Sequence, residues 1–375
     1  MNKTAHTLLV LTLAIATGFS VRSHAQANPA SHGVFVMTNS ATRNEVIAFT
    51  RGRDGAIHEN QFATGGRGSG GTTDPLGSQG SLTLTRDHSF LLAVNAGSGE
   101  VSVFKVNGTG LTLTDRIPCG GSNPVAVAEF SHIVYVANAG GNSNVAGFTL
   151  GASGKLTPIV GSISYLSTSN SGPGSVTFSP DGKFLLVTEK VTNDIDVFPV
   201  QSNGKLGSIV VNPSAGPGAF AVSFAADGTA LVSETGPMGA QDAGALSSYA
   251  VQSNGTLSVI SASVPTMGTA TCWQAITPDS HFVYTANSGS STISGFTIAK
   301  NGALTPLSGT IVATLPSGST DLDTAISSDG KLLFSLDSGT GKVSVLDIDS
   351  NGNLNGVGAI GNFPPSAGFN GIAAN

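Results

Sequence analysis

Charge is scarce in this chain: Asp, Glu, Lys and Arg together make up 10% of 375 residues, and the 16 basic residues are outnumbered by 22 acidic ones. No basic block occurs, so a nucleic-acid partner is excluded. Cysteine is nearly absent, with only Cys119 and Cys272. They fall in well separated repeats, and a bridge needs Cα atoms within about 7 Å. The pair is therefore read as two free, buried thiols, not as a disulfide framework. No Cys/His spacing suggests zinc, no G-x-S-x-G elbow is present, and C-x-x-C-H is missing. Neither a metal nor any other cofactor is expected.

Long apolar runs are also missing. The one candidate, Leu8 to Phe19, is too short for a membrane span. It follows Lys3 and precedes the small residues Ala25 and Ala27, which is the plan of a secretory signal peptide. Residues 1–25 are read as that leader and 26–375 as one domain, located in the periplasm or secreted. Loss of Lys3 and Arg22 with the leader moves the net charge from -6 to -8.

Glycine is abundant, at 50 residues, and a sentence repeats seven times. A short apolar strand leads to a turn ending in Gly, then to a Leu or Ile. The clearest copies are EVSVFKVNGTGLTL (100–113), DIDVFPVQSNGKLG (194–207), TISGFTIAKNGALT (292–305) and KVSVLDIDSNGNLN (342–355). The spacing of roughly 45–55 residues is that of a β-propeller blade. The turns are hairpin turns in which Gly supplies the positive φ. A second clause precedes each copy except the first, as in SVTFSPDGKFLLVTE (175–189) and TAISSDGKLLFSLD (324–337). The first unit has only GVFVMTN (33–39), and the chain ends in an orphan strand, GFNGIAAN (368–375). The expected fold is all-β: a seven-bladed propeller of four-stranded antiparallel blades, closed by pairing the C-terminal strand with the N-terminal ones.

The strings FSPDGKFLLVTEKVTNDIDVFPVQSNGKL (178–206) and VYTANSGSSTISGFTIAKNGALTPL (283–307) resemble the lactonase family of seven-bladed propellers. That family includes bacterial 6-phosphogluconolactonases and is related to fungal carboxymuconate cyclases. The resemblance runs through all seven repeats. It implies a lactonase, or a related cycloisomerase, acting on a small ring ester. It also implies a role for Glu234, which is similar to a family Glu ending the second strand of a middle blade. The family's histidines, and nearby arginines, after Gly-Pro at inner-strand starts are replaced here by NPV (123–125), GPG (172–174) and GPGAF (216–220).

With strands a to d counted outward from the hub, the b–c and d–a connections share one face. The a–b and c–d turns share the other. The fold leads one to expect a ligand at the mouth of the channel on the first face. His88, His132 and His281 fall in a–b turns, His58 follows a c–d turn, and His32 lies at the start of the domain. A histidine mechanism is thereby disfavoured. The residues ending strand b read Asn39, Asn95, Asn138, Glu189, Glu234, Asn287 and Asp337. Asn and Asp cap turns with their own backbone. Glu is a poorer mimic, so Glu189 and Glu234, with Lys190, are the candidate catalytic set: base, second acid and oxyanion partner. The competing reading is a solvated ionic cluster. Arg43, Trp273, Asp321, Asp323 and Asn287 are the candidate substrate-binding residues. Trp273 fits simple packing equally well. Arg67 lies in a Gly-rich segment (64–75), read as flexible and not as a phosphate loop.

Two functions remain. One is an exported hydrolase in which carboxylates assist attack of water on a lactone or sugar-derived ring ester. The other is a non-catalytic binding propeller, favoured by the low charge and missing histidines. In either case the chain is read as a monomer with a small-molecule ligand and no membrane span.

Overall fold

The computed structural model describes residues 33–51, 56–107 and 110–375. The leader and His32 lie outside the described residues. Seven antiparallel sheets follow one another along the chain, and among the described residues there is no helix. Blade 1 combines the last strand, Ile372–Ala374, with Val34–Met37, Glu45–Arg51 and Ile57–Ala63, in that order from the hub. Blades 2 to 7 begin at Leu82–Leu84, Pro124–Phe130, Pro173–Phe178, Ala219–Phe224, Thr271–Ile276 and Asp321–Ile326. The outer strand of blade 3 is split into Leu156–Pro158 and Ser164–Tyr165.

Local chemistry explains the repeated turns. In four a–b turns a hydroxyl donates to an aspartate two residues on: Thr85 to Asp87, Ser179 to Asp181, Thr277 to Asp279 and Ser327 to Asp329, at 2.6–2.7 Å. The same aspartates accept backbone N–H groups further round the turn, as in Lys183 to Asp181 at 3.1 Å. These are side-chain mimics of a turn. In the c–d turn of blade 4, Gly204 has φ +79°, a conformation that a Cβ disfavours. Its carbonyl accepts the hydroxyl of Tyr135 from blade 3 at 2.8 Å. The turn thus also pins one blade to the previous one.

Strand b is the core of each blade. Phe90–Asn95, Thr229–Glu234 and Leu332–Asp337 are buried at every position, because both sheet faces pack on neighbouring blades. The ring closes through Val34↔Ala374, Phe35↔Ala373 and Val36↔Ile372. Cys119 and Cys272 are both free and buried. No helix among the described residues is long and apolar enough to cross a membrane.

Candidate functional site

The two glutamates first. Glu234 is fully buried at the end of strand b in blade 5. Its Oε1 accepts Gly216 N–H (2.8 Å), Ser247 Oγ (2.6 Å) and Ser214 Oγ (3.2 Å), and its Oε2 accepts Ser263 Oγ (2.6 Å). Ser214 and Gly216 belong to the connection from blade 4, so the carboxylate clasps two blades together. Asn287 holds the equivalent place in blade 6, with its bonds inside that blade: its Oδ1 accepts Thr271 Oγ1 (2.6 Å), and its Nδ2 donates to Thr292 and Ser294. Room for each side chain comes from a glycine in the incoming connection. A Cβ on Gly216 would lie 2.2 Å from Glu234 Oε2, and one on Gly268 would lie 2.2 Å from Asn287 Cγ. This Gly partner is the sequence signal that the strand-b residue packs against the incoming connection. The solvated-cluster reading of the glutamates also fails, since neither is exposed.

Glu189 is equally buried in blade 4 and accepts both the N–H (2.9 Å) and the hydroxyl of Ser167, from the blade 3 connection. Thr192 donates to it at 2.5 Å. Asp196, on the next strand, shares the Ser167 N–H at 3.2 Å, and its Oδ1 has no hydrogen-bond partner. Burial first, and then Glu189 beside it, push Asp196 up to about 8. Raised this far, Asp196 keeps its proton near neutral pH. The glutamates thus occupy two separate cages with no shared donor. The expected acid–base set of Glu189, Glu234 and Lys190 is not assembled. Truncating Glu234 to Ala leaves four donors unpaired in the interior. It should cost about 2–4 kcal/mol, read as a lower urea midpoint; an unchanged midpoint would contradict the clasp.

What occupies the hub is the segment 64–81, which connects blades 1 and 2 where 214–218 and 266–270 suffice elsewhere. It is held, not loose. Ser78 Oγ donates to Val125 O of blade 3 (2.8 Å), and Gln79 N–H to Gly174 O of blade 4 (2.8 Å). From blade 6, the Trp273 indole N–H donates to Ser78 O (2.9 Å). The Gln79 amide makes a two-way pair with the Gln274 backbone, at 2.7 and 3.0 Å. One short stretch therefore bridges opposite sides of the ring and stops the channel. Beneath it, toward the a–b turns, lies a cavity of about 670 Å³ lined by the inner strands of blades 2 to 7.

On the loop face of this stopper, two opposite charges lie about Gly77. Lys190 donates to the carbonyl of Gly77, and its ammonium lies 5.4 Å from the centre of the Phe220 ring. Asp74 Oδ1 accepts Gly77 N–H (2.9 Å) and the Asn370 amide (3.0 Å). A Cβ on Gly77 would meet Lys190 Nζ at 2.6 Å and Asp74 Oδ2 at 3.9 Å, so both ions flank one point. Burial raises Asp74, opposed by Asn370, Gly77 and Lys190; burial lowers Lys190, opposed mainly by Asp74. Phe220 packs edge-on against Trp273 at 5.0 Å.

The other candidates are dispersed. Asp323, with φ +72°, accepts Thr324 N–H (2.9 Å) and Ile372 N–H (3.2 Å). It ties blade 7 to the closing strand, and burial raises it to about 7. Asp321 is fully buried with neither oxygen hydrogen-bonded, and burial raises it well above the usual range. Arg43 is exposed and paired with Glu45 in its own blade at 3.1 Å. His88, His132 and His281 sit in a–b turns and His58 in the outer strand of blade 1, away from the stopper. Among the described residues no group of three or more His, Cys, Asp or Glu could hold a metal ion.

Residues 232–369 match the family model described as Lactonase, 7-bladed beta-propeller. The chain resembles the lactonase family of seven-bladed β-propellers. The matched span of this lactonase-like propeller contains Glu234, Trp273, Asn287, Asp321 and Asp323, but not Asp74 or Lys190. Among solved structures, the periplasmic gluconolactonase of Pseudomonas aeruginosa is 17% identical, with a TM-score of 0.70 over 92% of this chain and 98% of that one. A Bacteroides fragilis protein provisionally ascribed 6-phosphogluconolactonase activity is 17% identical, with a TM-score of 0.67 over 92% and 98%. Hydrazine synthase of Kuenenia stuttgartiensis is also 17% identical, with a TM-score of 0.56 over 74% and 78%. Such likeness shows the propeller fold and leaves the chemistry to the site. A search of curated proteins found no match.

Proposed function

We propose that this chain is an exported lactonase-like hydrolase of a small ring ester, with its reaction centre at the loop-face mouth of the hub. The observation that carries the reading is the Asp74–Lys190 pair flanking Gly77. A carboxylate raised by burial is a better proton acceptor near neutral pH than an exposed one. Asp74 takes a proton from water as the water adds to the ring carbonyl. The Lys190 ammonium faces the oxygen on which negative charge develops. The ring C–O bond then breaks, and the proton passes to the departing alkoxide, giving a hydroxy acid. Phe220 and Trp273 wall the site on the blade 5 and 6 side. The family resemblance and the periplasmic gluconolactonase among the structural neighbours support the substrate class and the export.

The test is a panel of sugar-derived and simple lactones, followed above the spontaneous rate. Lys190→Met and Asp74→Asn should each lower kcat/KM by about 10²–10⁴. Glu234→Gln should stay within about threefold of wild type, since its carboxylate is enclosed in the clasp. No turnover by wild type, or equal rates for all variants, removes this assignment.

A second reading is a non-catalytic binding propeller. It is favoured by the two glutamates being committed to blade clasps and by the stopper filling the hub. It predicts a rise in melting temperature with a ligand of the panel and no product.

A further inference from the structure

The segment that leads into the closing strand also brings a side chain to the loop-face site. Asn370 is fully buried, and its amide donates to Asp74 Oδ1 at 3.0 Å across 296 positions of chain. Gly77 N–H donates to the same oxygen at 2.9 Å. Among the described residues no hydrogen bond falls on Asp74 Oδ2. A Cβ on Gly77 would lie 3.9 Å from that free oxygen and 2.6 Å from Lys190 Nζ. Two donors from different elements thus fix one carboxylate oxygen and leave the other on the side of Gly77, where Lys190 also lies.

The amide is not needed to seat the segment. Backbone bonds do that: Asn370 N–H to Met37 O (3.3 Å), Met37 N–H to Gly371 O (3.1 Å) and Gly368 N–H to Thr72 O (3.0 Å). Nor does packing call for it. Asn370 Oδ1 is buried without a hydrogen-bond partner, so the bond to Asp74 is the only one this side chain makes. A buried acceptor left unpaired is costly, and an apolar side chain of similar size escapes that cost. What the asparagine adds is an N–H aimed at Asp74.

The other ionisable groups about Asp74 come from three blades. Burial raises Asp74; the Asn370 amide leads the groups that oppose it, ahead of Gly77 N–H and Lys190 of blade 4. Burial, and then Asp74, hold the Cys272 thiol of blade 6 above its ordinary range. Asp323 of blade 7, raised to about 7 by burial, accepts Ile372 N–H two residues beyond Asn370. The Asn370 amide bonds to none of these three and acts on Asp74 alone.

We propose that Asn370 is a positioning residue: by holding Asp74 Oδ1 it turns Oδ2 toward Gly77 and favours the ionised carboxylate. Its place in the reaction rests on the reading of Asp74 as the base. Closing the ring then also completes the site, because the residue that sets the base lies just before the closing strand.

The experiment follows Asp74 by 13C NMR of the aspartate carboxyls, with its signal assigned by loss in Asp74→Asn, beside pH profiles of lactone turnover. Asn370→Leu, checked by its melting curve, removes the donor and keeps the bulk. The Asp74 midpoint should rise by about one pH unit, and the acidic limb of kcat/KM should rise with it. Above that limb, kcat should fall about tenfold with KM within about threefold, as for a misaimed base. In wild type, one side-chain NH2 signal should titrate with Asp74 and lose that dependence in Asp74→Asn, a result that needs no Asn370 variant to fold. The proposal is overturned if the Asp74 midpoint stays in place, if no NH2 signal follows it, or if the midpoint moves while the kcat/KM limb does not. Absence of turnover by wild type removes the hydrolase reading alone, since the two NMR results still decide what Asn370 does to Asp74.

Discussion

Removal of residues 367–375 should abolish the single cooperative unfolding transition. These residues supply the inner strand of blade 1, and among the described residues that strand closes the ring. Phe369 and Ile372 are 7% and 4% exposed, in a cluster with Phe363 and Leu336. Burying two such side chains contributes about 3–6 kcal/mol. Polar ties go as well: Ile372 N–H to Asp323, Asn370 to Asp74, and the two-ended link of Asn375 with Gly33 (2.7 and 3.1 Å). The strand Val34–Met37 would become an open edge. Since a domain's whole stability is about 5–15 kcal/mol, the truncated chain should melt broadly, bind a hydrophobic dye and aggregate. A truncated protein with one sharp transition near the wild-type temperature would disprove closure by this strand.

Acidification should stabilise the protein between about pH 8.5 and pH 5.5. Three buried aspartates have raised values: Asp196 about 8, Asp323 about 7 and Asp337 about 6. In each case burial is the leading cause; Ser344 and Ser335 oppose it at Asp337. A carboxyl raised on folding binds more protons folded than unfolded between its two pKa values. Its favourable contribution is fully present at low pH and is lost as pH rises through the folded value. Each group then changes stability by about 1.4 kcal/mol per pH unit across that window. The melting temperature should therefore fall by on the order of 5–10 °C from pH 5.5 to pH 8.5. Asp196→Asn supplies a neutral group where a protonated one is wanted, so it should melt higher than wild type at pH 8.5 and similarly at pH 5.5. Below about pH 4 the trend reverses, because the exposed turn aspartates Asp87 and Asp181 are lowered to about 2 and lose their contribution as they protonate. A melting temperature that rises from pH 5.5 to 8.5, or an Asp196→Asn protein less stable at pH 8.5, would contradict a buried Asp196 that keeps its proton.

Particular residues separate what the sequence discloses from what it conceals. The hairpin Asn-Gly turns, the Ser/Thr-x-Asp turns and the orphan GFNGIAAN strand are local patterns. Each is decided by backbone sterics or by hydrogen bonds between neighbours in sequence, so strand order and closure can be read directly. The histidines are placed by the same register. Glu189 and Glu234 were legible as exceptions among the strand-b ends, but their use was not. Whether a buried carboxylate meets substrate or serine hydroxyls depends on a connection from the preceding blade. Gly216 supplies the cue for Glu234, and it is read only once clasp and connection are paired. Asp74, Asn370 and Gln79 were missed altogether, since nothing near them in sequence marks a site. The one hint was the length of the 64–81 connection, and its glycines suggested flexibility instead.

By itself, the sequence determined the strand period, the turn chemistry, the seven-fold count and the closing strand, because these follow from interactions within one blade's length of chain. Only the tertiary structure decided that a Gly-rich connection crosses the hub, that two glutamates serve as clasps, and that Asp74 and Lys190 flank Gly77. The hub contacts join residues more than a hundred positions apart, as Lys190 to Gly77 and Trp273 to Ser78 do, and the clasps join a blade to the connection before it. Their partners are fixed by where seven packed sheets leave space around one axis, and no local pattern encodes that space.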